Sequence, residues 1–334
     1  MRRNRGSGGV PWRGLLVAAT VAVALTVGLV RPAAAATRFV ATTGSNAGPN
    51  TCLASGSPCK TITHTLTQAV TGDTVSVAAG TFNLALGETF PLTINKTLTL
   101  TGAGAGSTII DATGANRRVI LVDFGVTATI SGVTITGGAQ SCSSSGCETG
   151  GGGLLTLENS AVDGNTASCA STGFACNASG GGLLNDGALT VTNATVTANT
   201  VTCSGAGCTA ESGGLWNEGT LTLTNSTVSG NIASCTTTGS GVCNAGGGGL
   251  ANARSLTVTN ATVTANTVTC NGVGCTAQGG GLNNGGGTTT LKNTIVAKQL
   301  AGPTASTPPP SLRTASTWTA TAPVSSPNRA TSRM

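Results

Sequence analysis

The chain has 334 residues, 51 of them Gly, with 8% charged residues, 2% aromatic residues and no Tyr. So few large side chains exclude a thick aromatic core and leave a narrow one built in many thin layers. The net charge of +6 sits at the two ends: residues 37–300 hold eight Lys/Arg against ten Asp/Glu, so no nucleic-acid partner is expected.

Residues 1–36 read as a secretory signal peptide, and export to the cell surface or medium is expected. Arg2, Arg3, Arg5 and Arg13 form a basic start, Leu15 to Val30 is an uncharged apolar run, and Ala33 to Ala36 follow Pro32. The run is 16 residues, short of the ~20 that span a bilayer, so no transmembrane segment is expected after cleavage. Twelve cysteines suit an oxidising compartment. They fall in close pairs, Cys52/Cys59, Cys142/Cys147, Cys169/Cys176, Cys203/Cys208, Cys235/Cys243 and Cys270/Cys275. These spacings are wider than C-x2-C, and His64 is the only histidine, so local disulfides are expected and no metal or cofactor is implied.

Residues 37–74 read as an N-terminal cap containing the Cys52/Cys59 loop. In TITHTLTQAV, Ile62, Leu66 and Ala69 share a helical face, which predicts a short helix plugging the open end of the stack. His64 lies on that helix with no acid or nucleophile patterned beside it, so a capping or solvent-facing role is expected.

From residue 75 to about 300 the chain alternates short strands with Gly-rich turns. Four segments repeat, starting at Ser160, Ala194, Ser226 and Ala261. Each closes in an alternating strand ending at Asn193, Asn225, Asn260 or Asn293, in steps of 32, 35 and 33 residues. Leu189/Val191, Leu221/Leu223 and Leu256/Val258 should point inward, with Val162, Val196, Val228 and Val263 in the next strand. Thr and Ser between them should face water. No two-residue hairpin turn joins the strands, so equivalent residues are expected to stack on the next coil about 4.8 Å away. The resulting fold class is all-β: a single-stranded right-handed parallel β-helix with cysteine loops as sealed excursions, and a monomer is expected. Two rows of Asn, at 165, 199, 231 and 266 and at 193, 225, 260 and 293, should take left-handed corners and bond along the stack.

GDTVSVAAGTF, LTINKTLTLTGAGAGSTIID and ISGVTITGG resemble the secreted pectin-lyase-like β-helix proteins of bacteria. The G-G-G-L and V-x-x-N rhythm is similar to the repeats of chlamydial polymorphic outer-membrane proteins, whose own motif is F-x-x-N. The resemblance spans residues 37–300 and implies the fold. Its members include lyases, hydrolases, adhesins and surface proteins.

The best cluster for chemistry is Asp186 and Glu218, in NDG and NEG of successive repeats, with Arg254 near the next equivalent and Trp216 beside the turn. The same residues read as ordinary turns, with Ala253 and Asn284 in the equivalent place and Trp216 as packing. No catalytic residue is therefore assigned. A non-catalytic surface or adhesion-type protein is the first reading, with an extracellular glycan or cell-surface receptor as partner. A polysaccharide lyase or glycoside hydrolase is the second. Residues 301–334 lose the repeat and become Thr/Ala/Ser/Pro/Arg-rich; they are expected to be disordered, and their codons are compatible with a shifted reading frame.

Overall fold

The computed structural model describes residues 34–142, 154–171, 175–237, 241–297, 300–301 and 313–320. Residues 1–33 of the expected signal peptide, Cys147 and most of the tail lie outside them.

From Thr37 onward the chain is a parallel β-solenoid. One ladder runs unbroken from Thr37–Val40 through Thr74–Val77, Leu98–Gly102, Thr127–Ser131 and Leu154–Glu158. It continues through Ala188–Thr192, Thr220–Thr224 and Ser255–Thr259 to Thr288–Ala297. A second ladder starts at Gly80–Asn83 and passes through Thr195–Thr197 and Thr262–Thr264. A third stacks Leu183–Asn185, Leu215–Asn217, Leu250–Asn252 and Leu282–Asn284. Every repeat-to-repeat pairing among the described residues is parallel, as the absence of hairpin turns requires.

The period-2 pattern sets the faces. Leu189, Val191, Leu221, Leu223, Leu256 and Val258 are buried in one continuous core, together with Val162, Val196, Val228 and Val263. Between them Thr99, Thr129, Thr156, Thr190, Thr222 and Thr257 stay in register on the outer side, forming an uncharged hydroxyl column. Each buried Leu or Val contributes about 1.5–3 kcal/mol, so thin layers add up without aromatics. In the last coil Thr289 replaces the inward Leu, and its hydroxyl bonds to Asn284 Oδ1 at 3.1 Å.

The cap follows the sequence closely. The helix is Ile62–Gln68, with Thr61 accepting from the His64 backbone N–H and with Ile62 and Leu66 in the core. Glu88 accepts from the N–H groups of Ile62 (2.6 Å) and Thr63 (2.8 Å), which offsets the open helix start. His64 Nε2 lies 3.1 Å from the Asn50 carbonyl oxygen, tying the helix to the Cys52–Cys59 loop. Asp73, isolated in sequence, is buried against Arg38 Nε at 2.5 Å and also accepts from Ala36 and Val70.

Three expectations are corrected. The cysteine excursions are not loops sealed only at the base. They stack as two ladders of their own, Thr166–Ser171 through Thr267–Asn271 and Cys176–Ser179 through Cys275–Gln278. Their cysteines, with Ala167, Ala178, Val201, Ala210, Ala233 and Val268, make a second core. Cys203 and Cys208 are free, buried thiols, although the other fully described pairs are bonded. Spacing is not the reason, since Cys270–Cys275 has the same separation of 5 and is bonded. Nor is the contact of Cys203 Sγ with the Cys176 carbonyl at 2.9 Å, since the bonded Cys235 and Cys270 make the equivalent contact with Cys208 and Cys243. Finally, the tail is not wholly without structure: Arg313–Ala320 pairs antiparallel with Thr288–Ala297 along the last coil. The unpaired edge there offers free N–H and C=O groups, which is a physical reason for a strand to settle on it.

Candidate functional site

The third ladder carries the carboxylates named from sequence. Each of its strands ends in a buried Asn, and these stack: Asn185 Nδ2 donates to Asn217 Oδ1 (2.7 Å), Asn217 to Asn252 (2.6 Å) and Asn252 to Asn284 (2.9 Å). The residue after each Asn turns outward, and the Glu218 N–H donates to the Asn185 carbonyl at 2.8 Å. Asp186 and Glu218 are thus consecutive in one exposed column, followed by Ala253 and Gly285. Asn284 belongs to the buried Asn column, so its equivalence to Asp186 was one residue out of register.

Asp186, Glu218, Ala253 and Arg254 line a shallow open surface. Two further charges reach it. Burial, and then the Glu218 charge, push the Glu211 carboxyl up to about 7. Burial lowers Arg118 while the Asp186 charge pulls it back up. Glu211 is therefore part protonated near neutral pH beside a carboxylate, a pair able to give and take a proton. Trp216 is 9% exposed, in register between Leu184 and Ala251, so its ring is packed rather than offered as a platform.

Sequence reasoning missed Glu211 and Arg118. Glu211 ends the lobe's return strand, in register with Ser179, Gly246 and Gln278. Aligning repeats on the second cysteine would have placed it next to the turn. Arg118 precedes the repeats and has no such signal.

Ligand atoms for a soft metal meet only in sulfur clusters among the described residues: Cys52/Cys59/His64, Cys203/Cys208/Cys235 and Cys243/Cys270/Cys275. Most of these sulfurs are bonded in cystines and cannot act as thiolates.

Fold and site together define a parallel β-helix protein with a cystine-filled side lobe. The chain belongs to the family described as "Protein of unknown function (DUF1565)", whose model matches residues 42–301. No curated protein matches. Among solved structures, one described as "Crystal structure of pectate lyase Pel9A" is similar over 81% of this chain and 78% of that chain. Its identity is 15% and its TM-score 0.41.

Proposed function

We propose that this chain is an exported, non-catalytic β-helix protein of the cell surface or medium, acting as a structural or adhesion-type rod toward extracellular glycans or receptors. The observation that carries the proposal is the set of buried cystines, in the cap and stacked in the lobe. Such bonds persist in oxidising compartments and are rare where glutathione keeps thiols reduced. The signal-like start of the chain supports the same reading. So does the hydroxyl column of the first ladder, which offers hydrogen-bonding groups without charge to a neutral partner. A glycan array probed with the purified chain tests it. Saturable binding to a defined glycan class, without turnover, is the expected result. Absence of binding there and on intact cells would contradict the adhesion reading.

A second reading, a carbohydrate-active enzyme, is favoured by the proton-bearing Glu211 beside Glu218. It predicts turnover of an acidic polysaccharide that is abolished in Glu211→Gln and Glu218→Gln. Under the first reading there is no turnover on pectin-like polymers to lose.

A further inference from the structure

The outward face of the first ladder is a grid in two dimensions. Each of its nine strands places one threonine in a single register-matched column that runs from Thr37 to Thr290. Columns two residues away flank it on both sides. Successive strands read Thr220-Leu221-Thr222-Leu223-Thr224 and Ser255-Leu256-Thr257-Val258-Thr259, with Leu221, Leu223, Leu256 and Val258 in the core and the hydroxyl residues outward. From Thr127 to Lys292 the outward register positions of the six strands are Thr or Ser except at Leu154, Glu158, Ala188 and Lys292. The grid therefore repeats every ~4.8 Å from coil to coil and every ~6.7 Å along a strand.

The hydroxyls are available. Thr129, Thr156, Thr190, Thr222, Thr257 and Thr290 are half-buried, and among the described residues their hydroxyls bond to no protein group. Their β-branched side chains have few χ1 states and are packed by like neighbours, so little side-chain freedom is lost on contact. At one margin the exposed Asn193, Asn225 and Asn260 amides bond to one another at 3.2 Å and hold the same repeat.

These features define the partner. A peptide or a single sugar chain repeats in one dimension and would engage one column. An ionic mineral needs ordered charge, and the charged residues in these strands are Glu158 and Lys292 alone. An aromatic platform is missing too, since Trp216 is packed into the third ladder. A neutral hydrogen-bonding lattice that repeats in two dimensions fits, and hexagonal ice is one. Its repeats along the a and c axes lie close to the two spacings of the grid.

We propose that the outward face of the first ladder, centred on Thr190, Thr222 and Thr257, binds the surface of ice. The hydroxyls bond to water at lattice positions, and the methyl groups between them order the water that joins the crystal. This goes beyond the adhesion reading, which stands or falls on its own glycan and cell-binding test.

The test follows single ice crystals in a solution of the purified full chain, cooled slowly below the melting point. Faceted crystals are expected, with a gap between melting and freezing points that widens with protein concentration. Thr222→Lys sets a long charged side chain in the middle of the grid, and loss of the gap with an unchanged thermal midpoint is expected. Should that variant unfold, Thr257→Lys poses the same question one coil away. Thr276→Lys, at an exposed position of the lobe, is expected to keep the gap. Fluorescently labelled wild type should enter growing ice and stay unbound over crystalline cellulose. Round crystals with no gap would overturn the proposal. So would equal loss in the grid and lobe variants, or retention by cellulose in place of ice.

Discussion

Three rows of asparagine do different work at the scale of single residues. Asn159, Asn193, Asn225, Asn260 and Asn293 sit at positive φ near 50° and bond amide to amide on the surface, at 3.2–3.3 Å. The row at 165, 199, 231 and 266 is buried. There each Asn Oδ1 from 199 onward accepts both the backbone N–H and the amide of the previous row member, and each amide also donates to the preceding coil's carbonyl. Asn231→Ala would leave the Asn199 backbone N–H and one N–H of the Asn199 amide without their acceptor. Each unsatisfied buried group costs about 1–3 kcal/mol, so a loss of roughly 3 kcal/mol or more is expected in denaturant unfolding. Asn225→Gly keeps the left-handed corner and loses only two exposed bonds, so a change below about 1 kcal/mol is expected. Similar losses from the two variants would contradict this division of roles.

In the buried row the left-handed residue is the one before Asn: Gly164, Ala198, Gly230 and Ala265, with φ of 65°, 52°, 65° and 53°. Sequence reading assigned that conformation to the Asn itself, because Asn tolerates it and the alternation of Gly with Ala hides the requirement. An L-residue with a Cβ pays roughly 1–2 kcal/mol there, less the entropy Gly gains on unfolding. Ala198→Gly is therefore expected to stabilise by about 0.5–1 kcal/mol, although Gly usually destabilises. A lower thermal midpoint for Ala198→Gly would count against the corner assignment.

The scale of elements explains the glycine runs. The middle glycines Gly181, Gly213 and Gly248 lie over the backbone of Thr200, Ile232 and Thr267, where the next coil's lobe begins. Their neighbours Gly182, Gly214 and Gly249 abut the Asn199, Asn231 and Asn266 amides. Main core and lobe core are thus pinched apart by a waist in which no Cβ fits. Gly213→Ala should cost about 3 kcal/mol or more, because the clash is with backbone and cannot be relieved by a rotamer. Equal stability of Gly213→Ala and wild type would rule out the waist. The strands and their inward residues were legible because alternation of Leu or Val with Thr is a local signal. The waist was not, because it depends on which coil lies above which.

The carboxylates show the same boundary between local and stacked information. Asp186 and Glu218 stood out because they occupy equivalent turns. Glu211 joins them only through folding, across two ladders. Its proton affinity has a consequence for stability. The group titrates near 4.5 when unfolded and at about 7 when folded. Between those values the folded state holds more protons, so stability falls as pH rises through that window. Glu211→Gln should be more stable than wild type at pH 8 by on the order of 1 kcal/mol, and no more stable below the unfolded value. Chemical denaturation at the two pH values measures it, and a gain of equal size at both would show that ionisation is not the cause.

At the scale of the whole molecule, stacking supplies what composition withholds. A chain with 2% aromatic residues builds one narrow core from Leu and Val and a second from Cys and Ala. Cystines hold the lobe, where apolar area is smallest, and each adds about 2 kcal/mol in the chain-entropy model. Repetition made the solenoid visible in sequence, since equivalent residues had to align. The reduced pair at Cys203/Cys208 and the strand at Arg313–Ala320 were invisible there. The first has the same spacing as a bonded pair, and the second carries no core pattern.

The most direct test of the central claim, an exported cystine-stapled β-helix, is a non-reducing peptide map of the chain recovered from its native host, fractionated into cytoplasm, envelope and medium. The expected product is found outside the cytoplasm, begins near residue 37, and contains Cys52–Cys59, Cys169–Cys176, Cys235–Cys243 and Cys270–Cys275. A cytoplasmic chain that keeps residues 1–36 and carries these cysteines as free thiols would contradict it.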